Sequence, residues 1–218
     1  MGDRSEFGIL PGWRVEEIAN SLESYGFSFE SSEFLYLVRN PKQIKNLPEK
    51  YKKFTSLEGF LAPGSYKMDK EISTEDFILM LVNQFEENLT NKIEKGFAKQ
   101  GLSLYEGVTL ASIVQKEAIV DTEKAAIAGV FINRISAGMR LETDPTVQYA
   151  LGYSEKHKTW WKVPLSYDDL AVNSPYNTYQ VDGLPPTPIC NPGIDALRAV
   201  ANPEQHGYYY FRAACDNS

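Results

Sequence analysis

The sequence predicts an α+β fold in which helices dominate, and three observations support this prediction. Before Met139, apolar residues recur at intervals of three and four, which is the spacing of one face of a helix. After Met139 the chain becomes rich in turn residues and aromatic side chains, with one short helix predicted over residues 194–202. Residues 208–214 then combine Tyr and Phe in a run that is typical of a strand.

Two short helices are predicted in the N-terminal part of the chain. The first occupies residues 13–24, where apolar residues fall at helical spacing. The second is capped by Ser31 or Ser32, runs to Arg39 and stops before the next proline. Residues 41–53 are polar, basic and proline-containing, and they predict a linker or mobile loop.

These features divide the chain into three segments. Residues 1–10 are interpreted as a cloning remnant or linker, and residues 11–53 as a small N-terminal module with its linker. Residues 54–218 are interpreted as the main domain, which is expected to stop within its last element. A chain of 218 residues is long enough for one domain with such an addition.

Three longer helices are predicted in the first half of the main domain. The first begins at Ser73 or Thr74, carries an apolar residue at every fourth position and ends at Gly96. The last begins at Asp121 or Thr122 and closes at Gly138. The first is expected to act as a scaffold helix, and the last is expected to bury Ala128, Phe131, Ile132 and Ile135.

The helix between them carries the most informative residue. Residues 103–106 form an S-x-x-E capping box, which places the start of the helix there. Glu117 lies seven residues after Leu110, four after Ile113 and three after Val114. At about 100° per residue, its carboxylate continues the apolar face of the helix instead of pointing to water.

This position of Glu117 has two interpretations. A buried glutamate can be structural, tied to an Arg, a Lys or a backbone amide. It can also be a general acid, because removal from water disfavours the charged form and raises the pKa of a carboxyl group. The residue pattern alone does not decide between them.

The turn-rich part of the chain supplies candidate binding residues, since loops often carry binding groups. Tyr176, Asn177 and Tyr179 offer rings that can stack on sugars and an amide that can bond their N-acetyl groups. Packing in an aromatic core explains either tyrosine equally well. Asp144, directly before Pro145, is an ordinary turn residue that could also contact a ligand.

Composition argues against several functional classes. A net charge of -7 with only short basic runs argues against nucleic acid, whose phosphates are bound by clustered Lys and Arg. The longest apolar run, residues 77–82, is far shorter than the about 20 residues of a membrane span. The two histidines and the separated Cys190 and Cys215 predict no metal site, and their spacing does not decide whether a disulfide forms. No cofactor-binding motif is present.

Several blocks, in order from about residue 57 to 213, resemble the YceG-like endolytic murein transglycosylases, the MltG group. The blocks are L-E-G-F-L at 57–61, L-A-S-I-V-Q-K-E at 110–117, V-F-I-N-R at 130–134 with G-M-R-L at 138–141, T-D-P-T-V at 143–147, S-P-Y-N-T-Y at 174–179 and G-L-P-P-T-P-I at 183–189. In that family the Glu of the I-V-x-K-E block is catalytic, so the resemblance implies this role for Glu117.

The resemblance implies a helix-rich α+β YceG-like catalytic domain, preceded by a partial LysM-like module that includes residues 11–19. It implies a lytic transglycosylase that cuts glycan strands internally, forms 1,6-anhydromuramic ends and terminates nascent strands, with no metal and no cofactor. The expected substrate-binding residues are Asp144, Gln148, Tyr176, Asn177, Thr178 and Tyr179.

The partners implied by the resemblance are peptidoglycan glycan strands and the cell-wall synthesis machinery, not nucleic acid. The implied location is the cell membrane, through a single N-terminal anchor that this sequence lacks, with the catalytic domain on the outer face. Two other functions stay open. One is a non-catalytic peptidoglycan-binding scaffold, and the other is a hydrolytic muramidase that uses Asp144 or Glu142 as a second carboxylate.

Overall fold

The computed structural model describes residues 4–212, which form ten α-helices and one antiparallel pair of strands. The predicted α+β class with dominant helices is confirmed. The elements are β1 (Arg4–Ile9), α1 (Val15–Leu22), α2 (Ser31–Arg39), α3 (Glu49–Lys52), β2 (Gly64–Asp69), α4 (Thr74–Asn88), α5 (Asn91–Lys99), α6 (Leu104–Glu117), α7 (Lys124–Ser136), α8 (Asp144–Leu151), α9 (Tyr167–Leu170) and α10 (Ile194–Ala201), with 3-10 turns at Pro41–Gln43 and Asp121–Glu123.

Strand β1 corrects the interpretation of the N-terminus. The sequence predicts a remnant or linker over residues 1–10, but residues Arg4–Ile9 pair with β2, with Phe7 opposite Tyr66. Phe7 and Ile9 are buried in the core at 0% and 2% exposure. Buried and exposed residues alternate over only this one short strand, so the sequence pattern is a weak indication of a strand. The pairing also crosses the boundary predicted after residue 53.

Residues 41–53 are not a mobile linker, so that prediction is wrong. Ile44, Leu47 and Tyr51 are buried at 0%, 3% and 0% exposure, and α3 lies within the segment. The lysines that give the segment its polar composition are mostly exposed, while its few apolar side chains reach the core. Composition averages over both groups and so conceals the packing.

The long helix predicted from Ser73 to Gly96 is two helices, α4 and α5. Ser73 caps α4 as expected, but Thr90 has an extended backbone (ψ 154°) and starts a new helix. The every-fourth-residue apolar spacing continues across the break, so it does not reveal it. Gly96 lies inside α5, where an added Cβ would lie 2.5 Å from the carbonyl oxygen of Ala201, so this glycine permits α10 to approach.

Two predicted helix starts are displaced. Helix α2 begins at Ser31, so this residue is not its cap, and the Ser31 hydroxyl donates instead to Glu23 Oε1 at 2.8 Å. Helix α7 begins after a 3-10 turn, at Lys124, whose ammonium group binds Asp121 Oδ1 at 2.6 Å. Neither Ser31 nor Asp121 is therefore the N-cap of its helix, and these positions belong to Glu30 and Glu123.

Helix α6 lies at the centre of the main domain and packs against α5, α7, α8 and α10. The predicted capping box is confirmed, because the backbone N–H of Ser103 donates to Glu106 Oε2 at 2.8 Å and the Glu106 N–H donates to Ser103 Oγ at 3.3 Å. Residues 107–114 are all buried. The helix is therefore enclosed along its middle, whereas its first turn, with Glu106 exposed, and its last residue, Glu117, reach solvent.

The predicted strand over residues 208–214 is not seen in residues 208–212, and the last two of its residues lie outside the described part of the chain. Side chains of α7 hold this segment instead. Asn133 Nδ2 donates to the carbonyls of His206 and Tyr208, both at 2.9 Å, and Arg134 Nε donates to the carbonyl of Tyr209 at 2.6 Å. These carbonyls thus bind α7 instead of a neighbouring strand.

Candidate active site around Glu117

Glu117 is the last residue of α6 and is half-buried. The C-terminal end of a helix carries the negative end of its dipole, which disfavours a negative charge on a side chain there. The position therefore favours a protonated carboxyl group, the form that a general acid requires.

A hydrogen bond from Thr143 holds this carboxyl group. The hydroxyl of Thr143, itself only 2% exposed, donates to Glu117 Oε1. Burial raises the pKa of Glu117, and the Thr143 hydrogen bond opposes that rise. The negative charge of Asp144 adds to the rise, while the guanidinium of Arg134 opposes it. Glu117 consequently keeps its proton to a higher pH than an ordinary glutamate.

Two cavities meet at Glu117, and Phe211 lines both of them. The first, of about 300 Å³, is called the aromatic cavity, and its other lining residues include Ile119, Ile127, Val130, His206, Tyr208 and Tyr210. The second, of about 220 Å³, is called the polar cavity, and its other lining residues include Arg134, Leu141, Glu142, Asp144 and Tyr179. A polymer could therefore extend away from Glu117 in two directions.

The polar cavity brings together residues that are distant in the sequence. Asp144 is the first residue of α8 and not an isolated turn residue, and Tyr179 donates its hydroxyl to Asp144 Oδ1 at 2.7 Å. Glu142 lies on the same cavity, with its carboxylate 3.6 Å from Arg134. The cavity thus presents two further carboxyl groups beside Glu117.

Arg134 joins the walls of the two cavities. It is 7% exposed, and its Nη1 donates to the carbonyl of Leu141 at 2.7 Å. Its guanidinium carbon also lies 4.8 Å from the centre of the Tyr210 ring. This buried cation places positive charge near the carboxyl groups, and it fixes the aromatic segment to the loop before α8.

Of the expected binding residues, Asp144 and Tyr179 line the polar cavity, whereas the other four lie outside both cavities. Asn177 is 0% exposed, and its amide donates to the carbonyls of Leu170 and Val172, both at 2.9 Å. Gln148, Tyr176 and Thr178 likewise bond within the protein, to the Lys162 carbonyl, the Thr187 hydroxyl and the Thr143 N–H, respectively. These contacts support the loops that carry the site.

Sequence reasoning assigned no role to Thr143, Arg134 or the aromatic segment 206–211. Thr143 and Arg134 lie inside sequence blocks that resemble the family, and this was the only indication in the sequence that they could belong to the site. Their partners are distant in the sequence, since Thr143 contacts a residue 26 positions away and Arg134 one 75 positions away. Only the folded chain shows these contacts.

Within residues 4–212, no group of three or more His, Cys, Asp and Glu side chains is arranged to hold a metal ion. No helix in that part of the chain is long and apolar enough to cross a membrane. The Cys190 thiol is buried and donates to the carbonyl of Ser112 at 3.3 Å. Cys215 lies outside the described residues, so a bond between the two cysteines stays untested.

Comparison with known proteins places the chain in a family. A family model described as YceG-like matches residues 2–218. The endolytic murein transglycosylase of Bacillus subtilis is 38% identical over 158 residues, which cover 72% of this chain and 42% of that protein. The protein of the same name from Streptococcus pneumoniae strain D39 is 28% identical over 224 residues, covering 94% of this chain and 40% of that protein.

A solved structure also resembles this chain, and it too is described as YceG-like. A protein from Listeria monocytogenes described as YceG-like superposes with a TM-score of 0.83 at 33% identity, covering 96% of this chain and 70% of that one. The present chain therefore shares its fold over nearly its whole length, while it spans about two fifths of the two transglycosylases.

Proposed function

The chain belongs to the YceG-like family, as its sequence blocks indicate, and we propose that it is the catalytic part of an endolytic peptidoglycan lytic transglycosylase. Its substrate is the glycan strand, which it cuts at the β-1,4 bond between N-acetylmuramic acid and N-acetylglucosamine. The names of its relatives support this reaction class. The observation that carries the site assignment is a half-buried carboxyl group, Glu117, at the junction of two cavities.

Glu117 performs both proton transfers in this proposal. It first donates its proton to the glycosidic oxygen that leaves C1 of the muramic ring. The 6-hydroxyl of the same ring then attacks C1, closing a 1,6-anhydro ring, and the ionised Glu117 accepts the proton of that hydroxyl. Since the nucleophile is tethered to the reacting carbon, its effective concentration is high and no water has to be activated.

The polar cavity is proposed to hold the muramic ring. Positive charge develops at C1 as the glycosidic bond breaks, and the carboxylate of Asp144 can stabilise it from the same cavity. Tyr179 orients Asp144 through its hydroxyl. Of the six residues expected to bind substrate, we propose direct sugar contact for these two, and an indirect, supporting role for Gln148, Tyr176, Asn177 and Thr178.

A hydrolytic muramidase is the second candidate, because a specific observation favours it. Glu142 and Asp144 line the polar cavity together with Glu117. Glycosidases that use water need a second carboxyl group as nucleophile or base, and either residue could supply it. The non-catalytic scaffold gains no such support, because a protein that only binds glycan has no use for a carboxyl group with a raised pKa between two cavities.

The two reactions leave different ends, so product analysis separates them. Purified uncrosslinked glycan strands are incubated with the protein in water enriched in heavy oxygen, and the products are examined by mass spectrometry before and after borohydride reduction. The proposal predicts muramic ends that are lighter by one water, carry no label and resist reduction. Labelled, reducible ends would identify a muramidase. A protein that binds the glycan strands but does not cleave them would be the non-catalytic scaffold.

Further proposals follow from the family and concern the whole protein. Internal cuts would terminate growing glycan strands, next to the cell-wall synthesis machinery. The catalytic domain would lie on the outer face of the cell membrane, held by a single N-terminal anchor. The division into a partial LysM-like module and a catalytic domain also stays a proposal.

A further inference from the structure

Three buried threonines lie directly behind Glu117. Thr143, Thr146 and Thr178 are 2%, 0% and 0% exposed. The backbone N–H of Thr143 donates to Thr178 Oγ1 at 3.1 Å, and the hydroxyl of Thr146 donates to the carbonyl oxygen of Thr143 at 2.7 Å. The hydroxyl oxygens of Thr146 and Thr178 are 2.8 Å apart.

The direction of each hydrogen bond follows from a count of protons, because a hydroxyl has only one to donate. Thr146 uses its proton on the Thr143 carbonyl, so in the contact between Thr146 and Thr178 the donor is Thr178. The three bonds form a closed ring that holds the backbone of Thr143 through both its N–H and its carbonyl. The hydroxyl proton of Thr143 takes no part in this ring and is directed to Glu117 Oε1.

We propose that Thr143 is a positioning residue that selects Oε2 of Glu117 as the oxygen that carries the catalytic proton. The inference rests on the proposed function, in which Glu117 is first an acid and then a base. An oxygen that accepts the Thr143 hydrogen bond is the unprotonated oxygen of the carboxyl group, so the proton resides on Oε2. The ring of threonines holds the backbone of Thr143 in the position from which its hydroxyl reaches Glu117.

The same contact serves the second proton transfer. Once Glu117 has given up its proton, its carboxylate carries a full charge in a half-buried place, where hydrogen bonds to charged groups are strong. Thr143 stabilises that charge without moving. Consistent with this role, the Thr143 hydroxyl lowers the pKa of Glu117 against the effect of burial.

The test compares three variants in the full chain. Thr143→Val removes the hydroxyl at nearly constant volume, and Thr143→Ser keeps it. Thr109→Val is the matched control, because Thr109 is 1% exposed, lies in the same helix as Glu117 and donates to the carbonyl of Tyr105 at 2.8 Å, away from the carboxyl group. Rates of glycan cleavage are measured from acid to alkaline pH, together with melting temperatures.

Thr143→Val is expected to lower kcat by about ten- to a hundredfold, the loss typical of one hydrogen bond to a charged group. The alkaline limb of its pH–rate profile should move to higher pH, because Glu117 without this hydrogen-bond donor keeps its proton to a higher pH. Thr143→Ser should restore both properties, and Thr109→Val should resemble the parent. An unmoved limb in Thr143→Val, or equal behaviour of the Val and Ser variants, would overturn the proposal.

A second measurement does not depend on cleavage. The side-chain carboxyl carbon of Glu117 is followed by carbon-13 NMR as the pH is raised, with Glu117→Gln used to assign its signal. The pKa of Glu117 should be higher in Thr143→Val than in the parent and unchanged in Thr143→Ser. An identical pKa in all three proteins contradicts the Thr143 assignment even if the parent cleaves glycan. A parent that does not cleave, but shows the expected pKa order, contradicts only the proposed function and the catalytic use of this contact.

Discussion

Glu58 and Glu117 are both carboxyl groups whose pKa is raised by burial, but they differ in what surrounds their oxygens. Glu58 is 1% exposed, and its two oxygens accept hydrogen bonds from the Val15 N–H and the Asn191 amide, both at 3.1 Å. Glu117 is half-buried, accepts a hydrogen bond from one donor among residues 4–212, and opens into the aromatic and polar cavities.

This difference shows that a raised pKa does not by itself identify an acid catalyst. The partners of Glu58 are structural, because Asn191 Oδ1 also accepts the N–H groups of Gly59 and Leu61, both at 3.0 Å. Glu58 thereby ties the start of α1 to the loop after α3. The structural interpretation of a buried glutamate thus applies to Glu58, and the catalytic interpretation is the one we propose for Glu117.

The largest effect is expected for Glu117→Gln. The amide keeps the shape of the side chain and still accepts the Thr143 hydrogen bond, but it cannot transfer a proton. Glycan cleavage should fall by at least about a thousandfold, within the range for loss of general acid–base catalysis. The melting temperature should stay close to that of the parent. A variant that unfolds at the parent's temperature and retains activity within tenfold would remove Glu117 from the catalytic role.

Asp144→Asn tests the polar cavity and should have the next largest effect. The change removes a negative charge and leaves an oxygen for the Tyr179 hydroxyl. In a transglycosylase, kcat should fall by about ten- to a hundredfold through lost charge stabilisation, with little change in KM. Because Asp144 raises the pKa of Glu117, its removal lowers that pKa, and the alkaline limb should move to lower pH. In a muramidase that relies on Asp144, activity would be lost as completely as in Glu117→Gln.

The sequence was sufficient to predict the half-buried position of Glu117, and the reason is local. Its distance from Leu110, Ile113 and Val114 places it on the core side of α6, and a family block covers the same residues. The sequence also singled out Asp144 and Tyr179 as candidates, and the structure shows that they share a cavity with Glu117. Positions that depend on near neighbours along the chain are thus predictable from the sequence, and a recognisable block adds candidates for the site.

The burial of polar side chains could not be predicted from the sequence in the same way. Asn177 and Thr178 look like surface groups in a turn-rich stretch, yet both are 0% exposed. Glu58 is another example, because its partners Val15 and Asn191 lie 43 and 133 positions away. Composition and periodicity describe only neighbours along the chain, so they could not distinguish these residues from exposed ones.

Tyr208→Ala tests the aromatic cavity and should have a smaller effect on activity. Tyr208 is 67% exposed, so its ring can stack on a sugar, and removing it should raise KM by about three- to tenfold while kcat changes little. Tyr167→Ala is the matched control, since Tyr167 is 92% exposed and lines neither cavity. If both variants show the same KM as the parent, glycan does not stack on Tyr208.

Glu58→Gln should change activity least, by no more than about threefold, while altering the pH dependence of stability. Burial, with the negative charge of Glu16, raises the pKa of Glu58 from 4.5 to about 8, although the Val15 N–H and Arg14 oppose the rise. The folded state therefore binds this proton more tightly than the unfolded state. The stabilisation is complete below pH 4.5 and is lost as pH rises to about 8.

The free energy of unfolding, measured with urea at several pH values, isolates this contribution when the parent is compared with Glu58→Gln. The variant should be less stable at acid pH, because its NH₂ group faces either the Val15 N–H or the Asn191 amide, and both are donors. The difference in the free energy of unfolding between the two proteins should shrink as pH rises from 4.5 to about 8. In this range the unfolded parent releases the Glu58 proton, whereas the glutamine of the variant does not titrate. A constant difference across that range would show that Glu58 is already ionised in the folded protein. Loss of cleavage at unchanged stability would mean that Glu58 also serves the reaction, and the contrast with Glu117 would then fail.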